Sequence, residues 1–475
     1  MRESIWSNMK TNEKRLLKDT FIFAIGNLGS KIIQFLLVPL YTYSMTTEEF
    51  GVSDLLLTTI SILMPVFSFS IADGLLRFGL DNEEKKEDVL KNSVVLVTIG
   101  TVCSFMLIPL FAQLSFIGKW SLLMVIVLVL RIYQDIFTTY LKVCNKNKQY
   151  AASSMLFTFT LCVFNVLFLT YLKLGIAGYL YSYIIASVTT LIYSLLVGKI
   201  YHAFFSANID KNTIKKILLY SLPLIVNALS GWVITASDRY MIAFFLSEND
   251  LGIYSVAAKM PSFIMTFSSI FLQAWTISAI TEQKNKKRNK FYSDIYKKYF
   301  FIVLLGTSLL TGIIQPFMIL YVSEEFFFAW KYVPFLLSSV IFMSMINFYS
   351  GIYIAYKKNI NITITIFIGA VINIILNTVL IPVLEINGAV IATYLSWVIV
   401  YVLRTIDIKR LCDFKEKDYR EILFFTLNLV QCVVVIYLPL KISLLYSGLL
   451  VILMIFLFRN YFFFLWKDIL KKVGR

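Results

Sequence analysis

Met45-Thr46-Thr47-Glu48-Glu49-Phe50-Gly51-Val52-Ser53 is answered 201 residues later by Leu246-Ser247-Glu248-Asn249-Asp250-Leu251-Gly252-Ile253-Tyr254. Each stretch is a short acidic corner between two long apolar runs, with a glycine at the same place. A second pair, Leu174-Gly175-Ile176-Ala177-Gly178 and Leu384-Glu385-Ile386-Asn387-Gly388, recurs at an offset of 210. At the first offset the small pair Gly29-Ser30 falls on Ser230-Gly231. Short glycine corners recur by chance, but two separate corners at nearly equal offsets point to a duplicated unit. Six apolar runs lie within the offset, and an even number returns the chain to the same side of a membrane. The two halves therefore share an orientation and are expected to relate by a pseudo-two-fold axis along the membrane normal.

Composition supports the membrane. Of 475 residues, 59% are hydrophobic and 15% charged, and the mean hydropathy is +0.77. Soluble domains carry about 45–50% apolar and about 25% charged residues, so a soluble multi-domain enzyme is excluded. A spanning helix needs roughly 20 mostly apolar residues. Runs between charged breaks give fourteen: 19–43, 51–76, 92–114, 120–141, 150–172, 176–198, 217–245, 252–280, 299–322, 332–355, 360–383, 388–408, 421–440 and 442–465. The expected fold is an all-α integral membrane protein of about 14 helices in two six-helix lobes. Residues 1–210 form the N-lobe, 211–415 the C-lobe, and 416–475 add two C-terminal helices. The first run shows no cleavage pattern and reads as a retained helix, preceded by a polar interfacial segment over 1–17.

The net charge of +16, with 44 Lys+Arg against 28 Asp+Glu, would suggest nucleic acid in a soluble protein. Its distribution says otherwise. With the N-terminus placed inside, 36 of the 44 basic residues fall on inner segments, counting Arg404 and Arg459 as snorkelling at inner helix ends. Only Lys119, Lys173, Lys331 and Lys441 lie outside, and Lys31, Arg131, Arg239 and Lys259 fall within helices. This asymmetry is the positive-inside rule and places both termini in the cytoplasm.

The chemistry-bearing residues are few. The five cysteines form no CxxC pair, and His202 is the only histidine. Neither a metal site, a cofactor nor a nucleophile–histidine catalytic set is expected. Polar residues inside apolar runs are expensive and mark cavities. In the eighth run Ser255, Lys259, Ser262, Thr266, Ser269 and Gln273 step by four and three, one continuous polar face. The first run carries Asn27, Lys31 and Gln34 at the same spacing. The second carries Asp54, Thr58, Ser61 and Ser68, then Ser70, Asp73 and Arg77 near its inner end. The seventh carries Asn227, Gly231 and Asp238, with Trp232, Thr235 and Arg239 beside them. These are the first two runs of each repeat, so the polar lining recurs at equivalent places. The plainer reading is packing: serines and threonines bond to backbone, and Asn165, Asn347, Asn373 and Asn377 bond between helices. Arg131 and Asp135, four apart, are expected to pair. Pro39, Pro65, Pro223 and Pro261 invite kinks.

One resemblance covers nearly the whole chain. Ser221-Leu-Pro-Leu-Ile, Ser237-Asp238-Arg239-Tyr240 and Leu251-Gly252-Ile253-Tyr254-Ser255-Val-Ala-Ala-Lys259 resemble the polysaccharide (Wzx-type) flippases of the MOP exporter superfamily. Leu17-Lys18, Gly29-Ser30-Lys31, Pro39-Leu-Tyr41, Glu49-Phe-Gly51, Gly74-Leu-Leu-Arg77-Phe and Gly388-Ala389-Val-Ile-Ala392 match in order, while the last two runs match only in hydropathy. The resemblance implies translocation of undecaprenyl-diphosphate-linked oligosaccharide units from the inner to the outer leaflet of a bacterial cytoplasmic membrane, by alternating access and without covalent chemistry. Membrane lipids and polysaccharide assembly machinery are the implied partners, with no nucleic acid. Lys31, Arg239 and Lys259 are then the expected contacts to diphosphate or acidic sugar, with Arg77 as a first contact. Asn27, Gln34 and Gln273 suit hydroxyls. Asp54, Asp73 and Asp238 would orient these groups or couple an ion. Two rivals stand beside this reading. A cation-coupled multidrug exporter of the same superfamily would present mainly acids, whereas the intramembrane set here is balanced. A membrane-embedded polysaccharide polymerase would need a long outer loop, and none is present.

Overall fold

The computed structural model describes residues 29, 31–81, 84–114, 116–412 and 419–458. Asn27, the segment 1–17, Arg459 and the basic C-terminal end lie outside the described residues, as do the side chains of Asn227 and Thr235. The described residues are helical throughout, without a strand. Thirteen of their spans are long and apolar enough to cross a membrane. Residues 19–28 and 30 of the expected first run lie outside the described residues, and its remainder is helical. The chain divides into two compact units, one ending at Trp232 and the other beginning at Val233.

In the first unit α1 covers 31–44. It is followed by α2 (Thr47–Phe67), α3 (Ile71–Gly79), α4 (Lys86–Phe105), α5 (Ser121–Val143), α6 (Asn147–Asn165), α7 (Gly175–Gly198) and α8 (Ile200–Ser206). Then α9 (Lys211–Phe245) carries the chain across the boundary into the second unit. The hub of the first unit is α5, which packs on α2, α3, α4, α6 and α7. Its apolar residues Met124, Val125, Leu128, Ile132 and Ile136 are wholly buried, so neighbours replace lipid around them. Between lipid-exposed helices there is little hydrophobic driving force, so close packing and polar bonds hold the bundle. Asn165 on α6 donates to the Tyr41 hydroxyl on α1 at 3.1 Å, a buried bond of that kind.

The second unit comprises the rest of α9, then α10 (Glu248–Ala257), α11 (Lys259–Glu282), α12 (Arg288–Tyr321), α13 (Val333–Ala355), α14 (Asn359–Leu384), α15 (Ile386–Leu411), α16 (Tyr419–Tyr437) and α17 (Leu440–Leu457). Its hub is α13, which packs on α11, α12, α14, α15 and α16. Trp275 of α11 stacks on Phe348 of α13 at 4.0 Å and donates its indole N–H to the Phe348 carbonyl at 2.8 Å. Gly351 makes room for that indole, since a Cβ there would lie 2.6 Å from its nitrogen.

The repeated corners are built alike. Thr46 caps α2 by accepting the Glu49 N–H, and Ser247 caps α10 by accepting the Asp250 N–H, both 201 apart. Gly175 and Glu385, 210 apart, both take φ +53°. The left-handed conformation is free for glycine and strained for glutamate.

Four runs differ from expectation. The second run is two helices rather than one over 51–76. Pro65 removes a helical donor, and Phe69 and Ser70 both adopt left-handed φ near 50° before α3 restarts the chain. Gly100 of α4 admits the break, because a Cβ there would overlap the Phe67 carbonyl. The eighth run is interrupted at Ala258, since Pro261 gives no hydrogen bond back to Ala257. Finally, α9 and α12 reach 35 and 34 residues by extending past the apolar runs through Lys211–Lys216 and Arg288–Lys298. Hydropathy marks where a chain enters the bilayer, not where its helix begins.

The start of α9 is tied to its own unit. Asn92 donates to the Asn208 carbonyl, Asp88 accepts the Asn208 N–H, and Lys216 pairs with Glu84 at 2.7 Å. Asp210 caps α9, accepting the Thr213 N–H at 2.9 Å and its hydroxyl at 2.8 Å. These bonds hold the Asp210 carboxyl below its usual range. A depressed carboxylate stabilises at neutral pH and loses that contribution as pH falls through its folded value. Protection of the 211–214 amides, taken relative to their intrinsic exchange at each pH, is therefore expected to fall on acidification below the ordinary aspartate range, and Asp210→Asn to weaken that response.

Candidate functional site

The second unit buries a carboxylate. Asp238 of α9 is 1% exposed. Tyr254 of α10 donates its hydroxyl to Oδ2 at 2.7 Å, and the Asn377 amide of α14 donates to Oδ1 at 2.6 Å. The Thr393 hydroxyl of α15 also donates to Oδ2. Asn377 donates further to Asn373 Oδ1 at 3.1 Å, which accepts Ser237 Oγ at 3.0 Å. A buried charge is tolerable only when hydrogen-bonded, and three donors from three helices meet that need. Asn373 and Asn377 thus bond between helices, as expected of asparagines inside the bilayer. Two amide atoms of the cluster, Asn373 Nδ2 and Asn377 Oδ1, have no partner among the described residues. Tyr254 and Thr393 escape sequence reading because tyrosine and threonine are ordinary packing residues in membrane helices, and nothing along the chain pairs them with Asp238. The one available signal is the i, i+4 asparagine pair.

A second buried charge corrects an expectation. Arg404 does not snorkel; it is 0% exposed. Its Nε donates to Thr365 Oγ1 at 2.9 Å and one terminal nitrogen to the Ile346 carbonyl at 2.8 Å and Ser350 Oγ at 2.6 Å. The other donates to the Ile362 carbonyl at 3.1 Å, and the guanidinium lies 5.8 Å from the Tyr353 ring. No carboxylate pairs with it among the described residues. The nearby Asp407 instead accepts from Tyr353 and Asn361, each at 2.7 Å. Arg404 is drawn inward because helices α13 and α14 offer more acceptors than the chain end does. With α14 and α15 antiparallel, Arg404–Thr365 clamps one end of the pair and Thr393–Asp238–Asn377 the other.

In the first unit Asp73 and Arg77 come together. They line a pocket of about 650 Å³ between α3 and the first half of α9, with Ser70 on one wall and Tyr220 and Leu224 on the other. Gly74 sets the approach of these helices: a Cβ would sit 2.6 Å from Ser221 Oγ and 2.9 Å from Ile217. Arg77 is 55% exposed and meets Asp81 by a single contact at 3.3 Å.

The other expected residues are placed as follows. Lys31 and Gln34 are exposed on α1. Asp54 is buried within the α2 bundle, 5% exposed, so it does not face an open surface. Thr58 and Ser61 below it are taken up by Trp232, whose indole N–H lies 3.2 Å from the Thr58 carbonyl and 3.0 Å from Ser61 Oγ. Arg239 and Lys259 are half-buried, and Gln273 is exposed on α11. The eighth-run stripe is split rather than continuous. Ser255 lies before the interruption and is wholly buried, while Ser262, Ser269 and Gln273 are exposed. The hydroxyls of Ser262, Thr266 and Ser269 donate to carbonyls of their own helix, which leaves their lone pairs for an incoming donor. Arg131 and Asp135 do not form an ion pair; the Arg131 guanidinium lies 5.2 Å from the Phe157 ring. A neighbouring aromatic face in a dry bundle competes with an i, i+4 carboxylate. Among the described residues no cluster of three metal-ligating side chains occurs.

Residues 16–277 match the family described as polysaccharide biosynthesis protein. The chain belongs to this family, the Wzx-type flippases of the MOP superfamily. Lsg locus putative protein 1 of Haemophilus influenzae is 24% identical over 368 residues, covering 71% of this chain and 86% of that protein. Among solved structures, the lipid II flippase MurJ in an inward closed conformation matches at TM-score 0.65 and 15% identity, over 94% of this chain and 99% of its own. An inward-facing MATE family multidrug transporter matches at TM-score 0.66 and 14% identity, over 82% and 98%. At these identities the structures speak for the fold alone. The protein is thus a multi-pass membrane flippase of the MOP superfamily, with the family and fold of transporters.

Proposed function

We propose that the protein translocates undecaprenyl-diphosphate-linked oligosaccharide units from the inner to the outer leaflet of a bacterial cytoplasmic membrane. The observation that carries this reading is the family match over residues 16–277, which contains Lys31, Arg77, Arg239 and Lys259. The lobes are residues 1–210 and 211–415, related by an axis along the membrane normal, with 416–475 appended and both termini cytoplasmic. Alternating access between the lobes carries the substrate without covalent chemistry. The protein works beside the machinery that builds and polymerises the repeat units.

Lys31, Arg239 and Lys259 supply positive charge to the diphosphate or to acidic sugars. Lysine is a point charge for phosphate, and arginine grips it through two N–H groups. Asn27, Gln34 and Gln273 exchange hydrogen bonds with sugar hydroxyls. Asp54, Asp73 and Asp238 orient the bases or couple an ion. Asp238 is the strongest of these three, because it gathers donors from three helices beside an amide oxygen that has no partner among the described residues. A proton or a small cation there exchanges one set of oxygen partners for another.

Two measurements test this. Proteoliposomes offered either a lipid-linked oligosaccharide or cationic drugs are expected to move only the former; drug export alone would favour the multidrug reading. Asp238→Asn keeps the shape and removes the charge. It is expected to abolish acceleration by an imposed proton or sodium gradient while the protein stays folded. Unchanged gradient dependence would remove Asp238 from coupling.

A further inference from the structure

The pocket between α3 and α9 has two unlike walls. Asp73 and Arg77 of α3 form a polar ridge with Ser70, the residue just before the helix, spaced by three and four residues. Tyr220 and Leu224 face it from α9, with Leu76 beside the ridge. The volume of about 650 Å³ falls in the range of about 300–1,000 Å³ found for small-ligand sites. The pocket is preformed. Gly74 lets the helices meet, and the Lys216–Glu84 pair holds the start of α9 in place. Its end away from Arg77 is the break in the second run, where two non-glycine residues take left-handed φ. Residues held there cluster at ligand sites, and discontinuous helices mark substrate stations in transporters.

We propose that this pocket receives the junction of the lipid-linked substrate, where the first sugar joins the polyprenyl diphosphate. The inference rests on the flippase reading above and names a station for it on the side assigned to the cytoplasm. Arg77 meets the diphosphate, exchanging its single contact to Asp81 for paired N–H bonds to phosphate oxygens. A carboxylate beside an anion is costly, so Asp73 marks a different part of the ligand. It accepts sugar hydroxyls, and Ser70 joins it as donor and acceptor. The Tyr220 ring and the Leu76 and Leu224 side chains cover the first isoprene units. Lys215 near the start of α9 adds positive charge on the same side. A bare phospholipid uses Arg77 but leaves Asp73 without a partner, and free diphosphate leaves the apolar wall unused.

The test uses the full chain in nanodiscs and a photoreactive farnesyl-diphosphate-linked monosaccharide, with labelled peptides mapped by mass spectrometry. Label is expected on residues 70–80 and 220–228, lowered about tenfold by Arg77→Gln, the scale of one charge-assisted bond. Leu224→Trp fills the pocket and is expected to block labelling at unchanged abundance. Asp73→Asn is expected to erase the preference for the sugar-bearing probe over farnesyl diphosphate and to leave binding of the latter intact. Label confined to other helices overturns the proposal. So does equal competition by phosphatidylglycerol or by inorganic diphosphate, or an equal response of both probes in the unmutated chain. Translocation by the same protein in vesicles is measured in parallel. Translocation without pocket label sinks the station alone, whereas a chain that moves no lipid-linked sugar sinks the flippase reading.

Discussion

Alanine at Lys31 or at Lys259 is expected to abolish translocation while abundance and unfolding temperature stay those of the unmutated protein. Neither side chain is buried: Lys31 is exposed on α1 and Lys259 half-buried at the start of α11. Neither position is core, so the folding cost of alanine is expected to be small beside the loss of substrate binding. The effect on substrate is of another order. A lysine charge about 4 Å from a phosphate charge contributes about 4 kcal/mol at the effective dielectric of a protein surface. That is close to a thousandfold in binding. Arginine at either place keeps the charge and is expected to retain partial activity. Initial rates in reconstituted vesicles, with thermal unfolding run on the same preparations, separate loss of function from loss of fold. Full translocation by both alanine variants would take these lysines out of the substrate path.

Arg404→Ala is expected to cost the fold about 2–4 kcal/mol, the range for a large buried side chain whose loss leaves a cavity and strips hydrogen-bond partners. It leaves a cavity and deprives the Thr365 and Ser350 hydroxyls of a partner. Arg404→Met is expected to cost much less. It fills the space without a buried charge, and the Ile346 and Ile362 carbonyls keep their helical hydrogen bonds. Arg404→Lys is expected to lie nearer alanine, because one ammonium cannot reach acceptors that a guanidinium fork spans. Thermal unfolding of the purified protein reads the order directly. Because Arg404 clamps α14 to α15, the alanine variant is also expected to loosen the Asn377 and Thr393 bonds to Asp238. Equal unfolding temperatures for the alanine and unmutated proteins would show that the cage carries no stability.

Much of this was legible in the residues, and the omissions share a cause. The long apolar runs, the acidic corners and the recurrence of Gly51 at Gly252 are patterns along the chain, and such patterns survive folding. The caps at Thr46 and Ser247 follow from local chemistry, so corner and structure agree. Apolar periodicity does not report a break made by φ. Hydropathy therefore runs smoothly through Phe69 and Ser70, where the second run divides. It also cannot choose among partners. Arg131 turns to Phe157 rather than to Asp135, and Arg404 turns inward rather than to the interface, because neighbouring helices supply the better contact. Asp238 was visible as a charge within an apolar run, but its donors lie 16, 139 and 155 residues away.

Reconstitution into vesicles offers the most direct test of the central claim. A fluorescent undecaprenyl-diphosphate-linked oligosaccharide is placed in both leaflets, and its exposure to an external sugar-modifying enzyme is followed over time. The predicted result is full accessibility with the unmutated protein, half accessibility without it, and half accessibility with Lys31→Ala. Accessibility that stays at half with folded, unmutated protein would contradict the assignment of this chain as a flippase for lipid-linked sugars.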